Sequence, residues 1–153
     1  MIAGDGPRRD AWQRLARDLG LTGRVTFTGE VSDAELRRLM HGASALVLPS
    51  ISRAEAFGYV QLEAMAAGKP VISTDVPGGV SWVNQHEHTG LVVPAGDAGA
   101  LRRAIEQISR DAALQARFGA AGRARVEAEF TLDRLRERLR ACYAELALAS
   151  SAC

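Results

Sequence analysis

Short apolar runs alternate with segments of helical period along the first two thirds of the chain. Five runs are read as strands: MIAG (1–4), RVTFTG (24–29), ALVLPS (45–50), PVIST (70–74) and TGLVV (89–93). The run PVIST is continuously apolar, which is typical of a strand buried on both faces of a parallel sheet. The alternation predicts βα units, and therefore an α/β protein with a parallel sheet and flanking helices.

Capping signals mark where several of the intervening helices begin or end. Ser32 and Glu35 form a capping-box pattern, Asp97 is placed to cap the helix after the last strand, and Gly68 is placed to end the helix after the third strand. The predicted helices cover about 7–19, the segment around Leu36–Met40, 58–67, Ala100–Ile108 and a terminal helix at about 131–149. The first has an apolar stripe of Trp12, Leu15, Ala16 and Leu19. The last has leucines at 132, 135, 139 and 146. The pattern predicts one domain over residues 1–153, without an internal boundary.

Composition narrows the class of protein. The chain has 153 residues, is 47% hydrophobic and 24% charged, and carries a net charge of +1. That balance gives no general attraction to nucleic acid or to anionic membranes. Cys142 and Cys153 have no metal-ligand spacing and no neighbouring histidine, so neither a zinc site nor a disulfide is predicted. With no signal peptide in the sequence, the cytoplasm is the expected location.

The most informative stretch is SRAEAFGYVQLEAMAAGKPVIST, residues 52–74. Glu55 and Glu63 stand eight residues apart in an apolar, alanine-rich segment, and Glu63 sits among residues that the pattern predicts to be buried, where an unpaired carboxylate is costly. Glu55 is predicted to lie in the loop ahead of the helix, at the sheet edge where α/β proteins bind ligands.

The start of that helix offers donors for an anionic or sugar ligand. Its free backbone N–H groups belong to Phe57, Gly58 and Tyr59, and Gly58 allows a close approach of the backbone because it has no Cβ. Glu63, further along, is suited to accept both hydroxyls of a ribose. From spacing alone two interpretations stay open, since Glu63 is equally consistent with an exposed helix carboxylate and Glu55 with a charge at a helix terminus.

Other candidate motifs are weaker. The GDGP turn, with Gly4 and Gly6, is either a phosphate-binding turn or a tight strand-to-helix turn, and Arg9 at the position of a third glycine favours the second. His86 and His88 lack a third ligand and are read as loop histidines. No DxD pair occurs in the sequence, so no carboxylate-held metal is predicted.

The segment ALVLPSISRAEAFGYVQLEAMAAGKPVIST resembles the nucleotide-sugar site of retaining GT-B glycosyltransferases of family 4, whose hallmark is E-x7-E. The pieces IAGDGP, RVTFTGEVSDAELRRLM, PGGV, TGLVVP and EFTLDRL occur in the order in which that family has them, so the resemblance covers essentially the whole chain. It implies a Rossmann-like fold that forms part of the C-terminal, donor-binding domain of a GT-B enzyme.

The resemblance also implies roles for individual residues. Glu55 would contact hydroxyls of the donor sugar near the reacting carbon, Glu63 would bind the ribose, and the turn from Glu30 to Asp33 would lie beside the nucleobase. The candidate catalytic residue is therefore Glu55, and the candidate nucleotide-sugar-binding residues are Gly4, Gly6, Val31, Asp33, Ala56, Phe57, Gly58, Tyr59 and Glu63.

The function implied is transfer of a hexose, of mannose type, from a UDP-, GDP- or ADP-sugar with retention of configuration. The acceptor would be a glycan or a lipid-linked glycan of bacterial polysaccharide assembly, and no metal ion or other cofactor is expected. The full enzyme would act in the cytoplasm, with peripheral association at the inner face of the membrane as a further expectation.

The chain also departs from the family pattern. The acceptor-binding domain and the first βα unit of the donor domain, which brings an Arg and a Lys to the diphosphate, have no counterpart, so an N-terminally incomplete and inactive domain is expected. In the strand order 3-2-1-4-5-6 the run MIAG corresponds to strand 2. Strand 1, which lies between strands 2 and 4 in that order, has no counterpart in this chain. Strand 2 therefore either pairs directly with strand 4 or leaves open edges that favour association. The alternatives are a non-catalytic, partner-dependent module and a sugar-nucleotide epimerase of GT-B architecture.

Overall fold

The structure is a computed structural model that describes the backbone of residues 1–150 and the side chains of residues 1–146. Cys153, which the sequence predicts to be free, lies outside the described residues. The strands are β1 (Ile2–Ala3), β2 (Phe27–Gly29), β3 (Leu46–Leu48), β4 (Val71–Asp75) and β5 (Gly90–Pro94). The helices are α1 (Arg9–Asp18), α2 (Asp33–Gly42), α3 (Tyr59–Ala66), α4 (Val80–Val83), α5 (Ala98–Arg110), α6 (Ala112–Glu129) and α7 (Leu132–Ser150).

All strand pairing in the ladders is parallel, which confirms the predicted α/β class with parallel sheets and flanking helices. β1 pairs with β2 in one sheet, and β3, β4 and β5 form a second sheet in that order. β4 stands in the middle of the second sheet, with Leu46 of β3 opposite Val71 on one side and Gly90 of β5 opposite Val71 on the other. The five predicted strands are found in place, and the first three are shorter than the apolar runs that predicted them.

The chain divides into two compact units between Leu39 and Met40. The sequence pattern contains no sign of this division. The sheet of β1 and β2 belongs to the first unit and the sheet of β3, β4 and β5 to the second.

In the first unit, α1 begins at Arg9 rather than at Pro7, which lies in the turn after β1. The helix ends as predicted, since Gly20 has a φ of +68° and its N–H donates to the carbonyl of Arg17 at 2.9 Å. Its apolar stripe remains exposed, because Trp12, Leu15 and Leu19 keep about half or more of their surface. The amphipathic period thus predicted the helix correctly without predicting burial of its apolar side.

In the second unit, the core lies between the sheet and the helices α5 and α6. It is formed by Ile72, Leu91, Val93, Ala104, Ile108 and Phe118. The burial of β4 confirms the interpretation of PVIST as a buried strand, since Val71 to Thr74 are all buried. The predicted leucine stripe of α7, in contrast, is exposed at 132, 135, 139 and 146.

A buried polar network joins β4 and β5 at their beginning. The side-chain amide of Asn84 donates to the carbonyl of Val71 at 3.2 Å, to the hydroxyl of Ser73 at 2.9 Å and to the carbonyl of Leu91 at 3.1 Å. Its Oδ1 accepts from the hydroxyl of Thr89 at 2.9 Å. Asn84 is completely buried, and both the nitrogen and the oxygen of its amide are hydrogen-bonded. The network therefore stabilises the pairing of β4 with β5.

Close packing also fixes α3 against α6. A Cβ at Gly119 of α6 would overlap the carbonyl oxygen of Gly68, and a Cβ at Gly122 would lie 3.0 Å from Cγ of Met65. Only glycine fits at the first of these positions. The helix that carries the candidate site is therefore held at its carboxyl end by direct contact with α6.

The predicted cap of α5 is observed, because Oδ1 of Asp97 accepts from the N–H of Ala100 at 2.8 Å. We expect Asp97→Ala to lower the free energy of unfolding by about 1 kcal/mol, since an N–H of the first turn then loses its acceptor. Asp97→Ser keeps an acceptor and should lose only a few tenths of that. Urea unfolding followed by circular dichroism measures both; equal losses in the two variants would contradict a capping role.

Candidate functional site

The loop between β3 and α3 contains a turn held by one of the two glutamates. Glu55 is half-buried, and its Oε1 accepts from the N–H of Gly58 at 2.9 Å. Gly58 has a φ of +73°, and a Cβ there would lie 2.7 Å from Cδ2 of Leu48. The turn therefore requires glycine on two counts, a left-handed backbone and direct contact with β3.

The N-terminus of α3 provides backbone donors on the same turn. The N–H of Gly58 is used by Glu55, while no hydrogen bond to the amides of Phe57 or Tyr59 is found within residues 1–146. Tyr59, the first residue of α3, is 74% exposed. Two amides with the positive end of a helix dipole behind them are suited to oxygen atoms of an anion or a sugar.

The second glutamate lies on the solvent-facing side of α3. The neighbours Ala64 and Met65 are fully buried, as the pattern predicts, but Glu63 itself is exposed. The expectation of an expensive carboxylate is therefore wrong, because the helix turns this side chain away from the core that its neighbours enter. An exposed carboxylate is free to accept hydrogen bonds from a ligand, so the position leaves the ribose interpretation available.

The loop Pro77–Gly79 forms the support on which the turn rests. The N–H of Gly79 donates to the carbonyl of Ala56 at 2.7 Å. A Cβ at Gly78 would lie 3.0 Å from that same carbonyl oxygen, and a Cβ at Gly79 would lie 2.8 Å from Cδ2 of Phe57. The sequence predicts a turn at this loop but not its role, which is to let the backbone approach residues 56 and 57.

An aromatic cluster of Phe57, Tyr59, Trp82 and Phe130 surrounds this support. The ring of Phe57 lies 5.2 Å from Tyr59, 6.1 Å from Trp82 and 6.2 Å from Phe130, measured between ring centroids. Phe130 directly follows α6, so the cluster connects the turn with α4 and with the end of α6. Aromatic pairs at these separations contribute about 0.5 to 1.5 kcal/mol each beyond burial.

Arg125 of α6 holds the cluster together from one side. Its guanidinium is stacked 5.4 Å from the centroid of Trp82 and 5.3 Å from that of Phe130. It also donates to the carbonyls of Trp82 and Val83, which end α4, at 2.9 Å and 3.2 Å, and to Oε1 of Glu129 at 2.7 Å. These bonds satisfy the last carbonyls of a four-residue helix, which explains how so short a helix is stable.

In the first unit, the GDGP turn is a tight strand-to-helix connection. Gly4 has a φ of +108° and donates its N–H to the carbonyl of Gly29 at 2.8 Å. The N–H of Gly6 donates to Oδ1 of Asp5 at 2.7 Å, and Oδ2 of Asp5 accepts from Arg9 at 2.9 Å. The amide of Gly6 is thus used within the turn, which agrees with the interpretation favoured from the sequence.

The remaining candidates of the first unit follow β2. Val31 is half-buried, whereas Glu30 and Asp33 are exposed. Asp33 is the first residue of α2, and the N–H of Glu35 donates to Oγ of Ser32 at 3.3 Å, as half of the predicted capping box. Gly4, Gly6, Val31 and Asp33 thus lie in one compact unit, and Ala56, Phe57, Gly58, Tyr59 and Glu63 lie with Glu55 in the other.

Within the described residues, no group of three or more His, Cys, Asp or Glu side chains is placed to hold a metal ion. His86 and His88 are exposed, and Nδ1 of His86 accepts from the N–H of Val92 at 3.0 Å. No helix in the described part of the chain has the length and apolar character needed to cross a membrane.

The sequence matches one family model and is similar to several curated proteins. The model described as glycosyl transferases group 1 matches residues 1–125. The chain is 34% identical over 135 residues to the O-antigen chain mannosyltransferase C of Escherichia coli. The aligned residues cover 88% of this chain and 36% of the relative. It is 36% identical over 144 residues to a GDP-mannose-dependent alpha-(1-6)-phosphatidylinositol monomannoside mannosyltransferase of Mycobacterium tuberculosis, which covers 91% of this chain and 37% of the relative.

Solved structures agree with these relatives. The chain is similar to the sucrose-phosphate synthase of Thermosynechococcus elongatus with a TM-score of 0.82 and 36% identity, over 95% of this chain and 37% of that one. It is similar to Anabaena Alr3699/HepE in complex with UDP with a TM-score of 0.82 and 25% identity, over 94% of this chain and 40% of that one. Both structures have the GT-B fold. The chain spans 36% of the length of the first of these curated relatives and 37% of the second.

Proposed function

Because the chain belongs to the group 1 glycosyl transferases, we propose that it is the nucleotide-sugar-binding part of a retaining hexosyltransferase. The donor is a UDP-, GDP- or ADP-sugar, with a mannose-type hexose preferred because several similar proteins are named mannosyltransferases. The acceptor is a glycan or a lipid-linked glycan. No metal ion or other cofactor is proposed, and the expected place of action is the cytoplasm or the inner face of the membrane.

The observation that carries this proposal is the turn from Glu55 to Tyr59. It combines a half-buried carboxylate with two amides that have no acceptor among the described residues, all at the N-terminus of α3. An acceptor group suits sugar hydroxyls and the amides suit a diphosphate, so one turn offers both kinds of contact that a nucleotide sugar needs.

The chemistry of transfer fits the same residues. Departure of the diphosphate builds negative charge on its oxygens, and the amides of Phe57 and Tyr59, with the dipole of α3, are groups suited to stabilise that charge. The sugar carbon develops positive, oxocarbenium-like character, which a nearby carboxylate such as Glu55 stabilises. Glu63, exposed on α3, is assigned to the ribose hydroxyls.

A binding experiment tests the proposal and the role of Glu63. Ligand-observed NMR with a panel of UDP-, GDP- and ADP-sugars should show binding of at least one of them to the chain. We expect Glu63→Ala to weaken the binding of that nucleotide sugar and of its free nucleoside diphosphate equally, by about tenfold. Both ligands carry the ribose, and the hydrogen bonds lost are to a charged but exposed group.

Glu127 provides the matched control for this variant, since it is likewise an exposed glutamate within a helix, on α6. Glu127→Ala should leave both affinities unchanged. If none of the sugar nucleotides binds, the proposed function is contradicted. If binding occurs and Glu63→Ala leaves it intact, the ribose role is wrong while the function stands.

A second candidate function is a non-catalytic module that binds a nucleotide sugar and acts only with a partner chain. The turn from Glu55 to Tyr59 accounts for binding of a donor in this case as well. Transfer of sugar from the bound donor to an acceptor by the purified chain would exclude the module, whereas absence of transfer is consistent with either candidate. We expect no transfer by the chain alone.

A further inference from the structure

A buried glutamine lies directly under the candidate site. Gln61 is in the first turn and a half of α3, whose other inward residues are Ala64 and Met65, and it is completely buried. A buried amide costs stability unless it is hydrogen-bonded, so the partners of Gln61 indicate what a glutamine does at this place. It is one of the seven residues between Glu55 and Glu63, and the E-x7-E pattern does not specify it.

The amide end of Gln61 is directed at two backbone carbonyls. Nε2 lies 3.0 Å from the carbonyl oxygen of Phe57 and 3.4 Å from that of Val80. Two acceptors on the same side identify the atom as the nitrogen, because an oxygen there would face two like dipoles. Oε1 has no hydrogen-bond partner among the described residues, although it is buried.

The bond to Phe57 controls the site through one peptide group. The carbonyl of Phe57 and the N–H of Gly58 belong to the same planar unit and point in opposite directions. Gln61 holds the carbonyl end, and Glu55 accepts from the N–H end at 2.9 Å. The orientation of this peptide plane, and with it the place of the Glu55 carboxylate, is thus set by Gln61.

The position of Gly58 makes this control tight. A Cβ at Gly58 would lie 2.7 Å from Nε2 of Gln61, so the backbone of the turn rests on the glutamine amide itself. The second bond, to Val80 at the start of α4, ties the same amide to the loop that supports the turn from below. Gln61 therefore touches both segments that shape the site.

We propose that Gln61 is a positioning residue that fixes the Phe57–Gly58 peptide and thereby presents the Glu55 carboxylate to the donor. It touches neither ligand nor reacting atoms. Methionine at this position would fill the same space without the unsatisfied Oε1, but it would leave the carbonyl of Phe57 without its donor, so what the glutamine adds beyond packing is that bond. The consequence for the donor rests on the proposed function, whereas the control of the peptide does not.

The test compares Gln61→Met with the unaltered chain by two measurements. Hydrogen exchange of the Gly58 amide, followed by NMR, reports the bond to Glu55 without any ligand. We expect exchange of that amide to accelerate about fivefold to tenfold in Gln61→Met, corresponding to loss of the support for one hydrogen bond. The affinity for GDP-mannose or UDP-glucose, whichever the unaltered chain binds, should fall by a similar factor.

Gln115 supplies a matched control. It is a half-buried glutamine whose Nε2 also donates to a backbone carbonyl, that of Ile108 at 2.8 Å, at the end of α5. Gln115→Met removes the same kind of bond away from the site. It should leave both the exchange of the Gly58 amide and the affinity for the sugar nucleotide at the values of the unaltered chain.

A conservative replacement adds a pH signature that a purely structural role would not produce. In Gln61→Glu, the protonated acid can donate to the carbonyl of Phe57 and the carboxylate cannot. Protection of the Gly58 amide, corrected for intrinsic exchange, should therefore rise as the pH is lowered, and Gln115→Glu should show no such change at Gly58.

Each outcome decides the proposal. Unchanged exchange at Gly58 in Gln61→Met overturns it, and so does accelerated exchange with unchanged affinity for a sugar nucleotide that binds. Failure of both Gln61→Met and Gln61→Glu to fold would show that the glutamine serves the fold and not the site. If exchange accelerates but the unaltered chain binds neither sugar nucleotide, the positioning of the peptide is supported and the proposed function fails.

Discussion

Replacing Gly90 with alanine is expected to lower the free energy of unfolding by about 3 kcal/mol. Gly90 begins β5 and stands opposite Val71 of β4. A Cβ there would overlap the carbonyl oxygen of Val71 and lie 2.8 Å from Oδ1 of Asn84. Neither group can withdraw without loss, because the Val71 carbonyl accepts from Asn84, and Oδ1 of Asn84 accepts from Thr89. The extra carbon must therefore separate the strands or break the buried network.

Urea unfolding followed by circular dichroism measures this loss. Gly42→Ala is the matched control, because Gly42 lies in α2 with nothing within 4 Å of the added Cβ. That variant should stay within about 0.5 kcal/mol of the unaltered chain. A loss of less than about 1 kcal/mol in Gly90→Ala would mean that β4 and β5 can separate cheaply, and would contradict the tight ladder described here.

Elements with local causes were predicted well from the sequence. The cap at Asp97, the capping-box serine Ser32 and the glycines that end α1 and α3 act on amides and carbonyls within a few residues, so the signal and its effect share one segment. The parallel sheet of β3, β4 and β5 followed from short apolar runs separated by helices. In each case a pattern in the chain is itself the physical cause of the structure.

Elements with distant causes were not predicted. The helix α4 is stabilised by Arg125, whose guanidinium donates to carbonyls 42 and 43 residues away in the chain. The exposed apolar stripe of α1 shows the reverse case, in which an amphipathic pattern indicates a helix but not what packs on it. Tertiary contacts decide both features, and no local signal encodes them.

The candidate site divides in the same way. The spacing of Glu55 and Glu63 and the glycine between them identified the turn, because each of these residue types limits what the backbone and the ligand can do there. The exposure of Glu63 and the role of Gln61 depend on which side of α3 meets the core. The available signal for Gln61 was a polar residue three and four positions before the apolar Ala64 and Met65, and therefore on the same side of the helix.

Replacing Glu55 with glutamine is expected to separate the two possible roles of this residue. Glutamine keeps the shape and can still accept from the N–H of Gly58, but it loses the charge and one of two acceptor oxygens. If Glu55 contacts hydroxyls of the donor sugar, binding of the nucleotide sugar should weaken by about tenfold to a hundredfold, as is typical for hydrogen bonds to a charged group. Binding of the corresponding nucleoside diphosphate, which has no sugar to contact, should change by about twofold or less.

The measurement is the pair of dissociation constants for GDP-mannose and GDP, or for UDP-glucose and UDP, on the same protein preparation. Glu106→Gln is the control, because Glu106 is a half-buried glutamate like Glu55 and its Oε1 accepts from Arg102 on α5 at 2.9 Å. Its substitution should leave all constants unchanged. Equal weakening of nucleotide sugar and nucleoside diphosphate in Glu55→Gln would instead mean that the carboxylate acts through the turn, as a cap for Gly58. Loss of a cap weakens the binding of every ligand at the helix N-terminus, whereas loss of a sugar contact weakens only the binding of the ligand that carries the sugar. In that case the sugar contact would have to come from another residue.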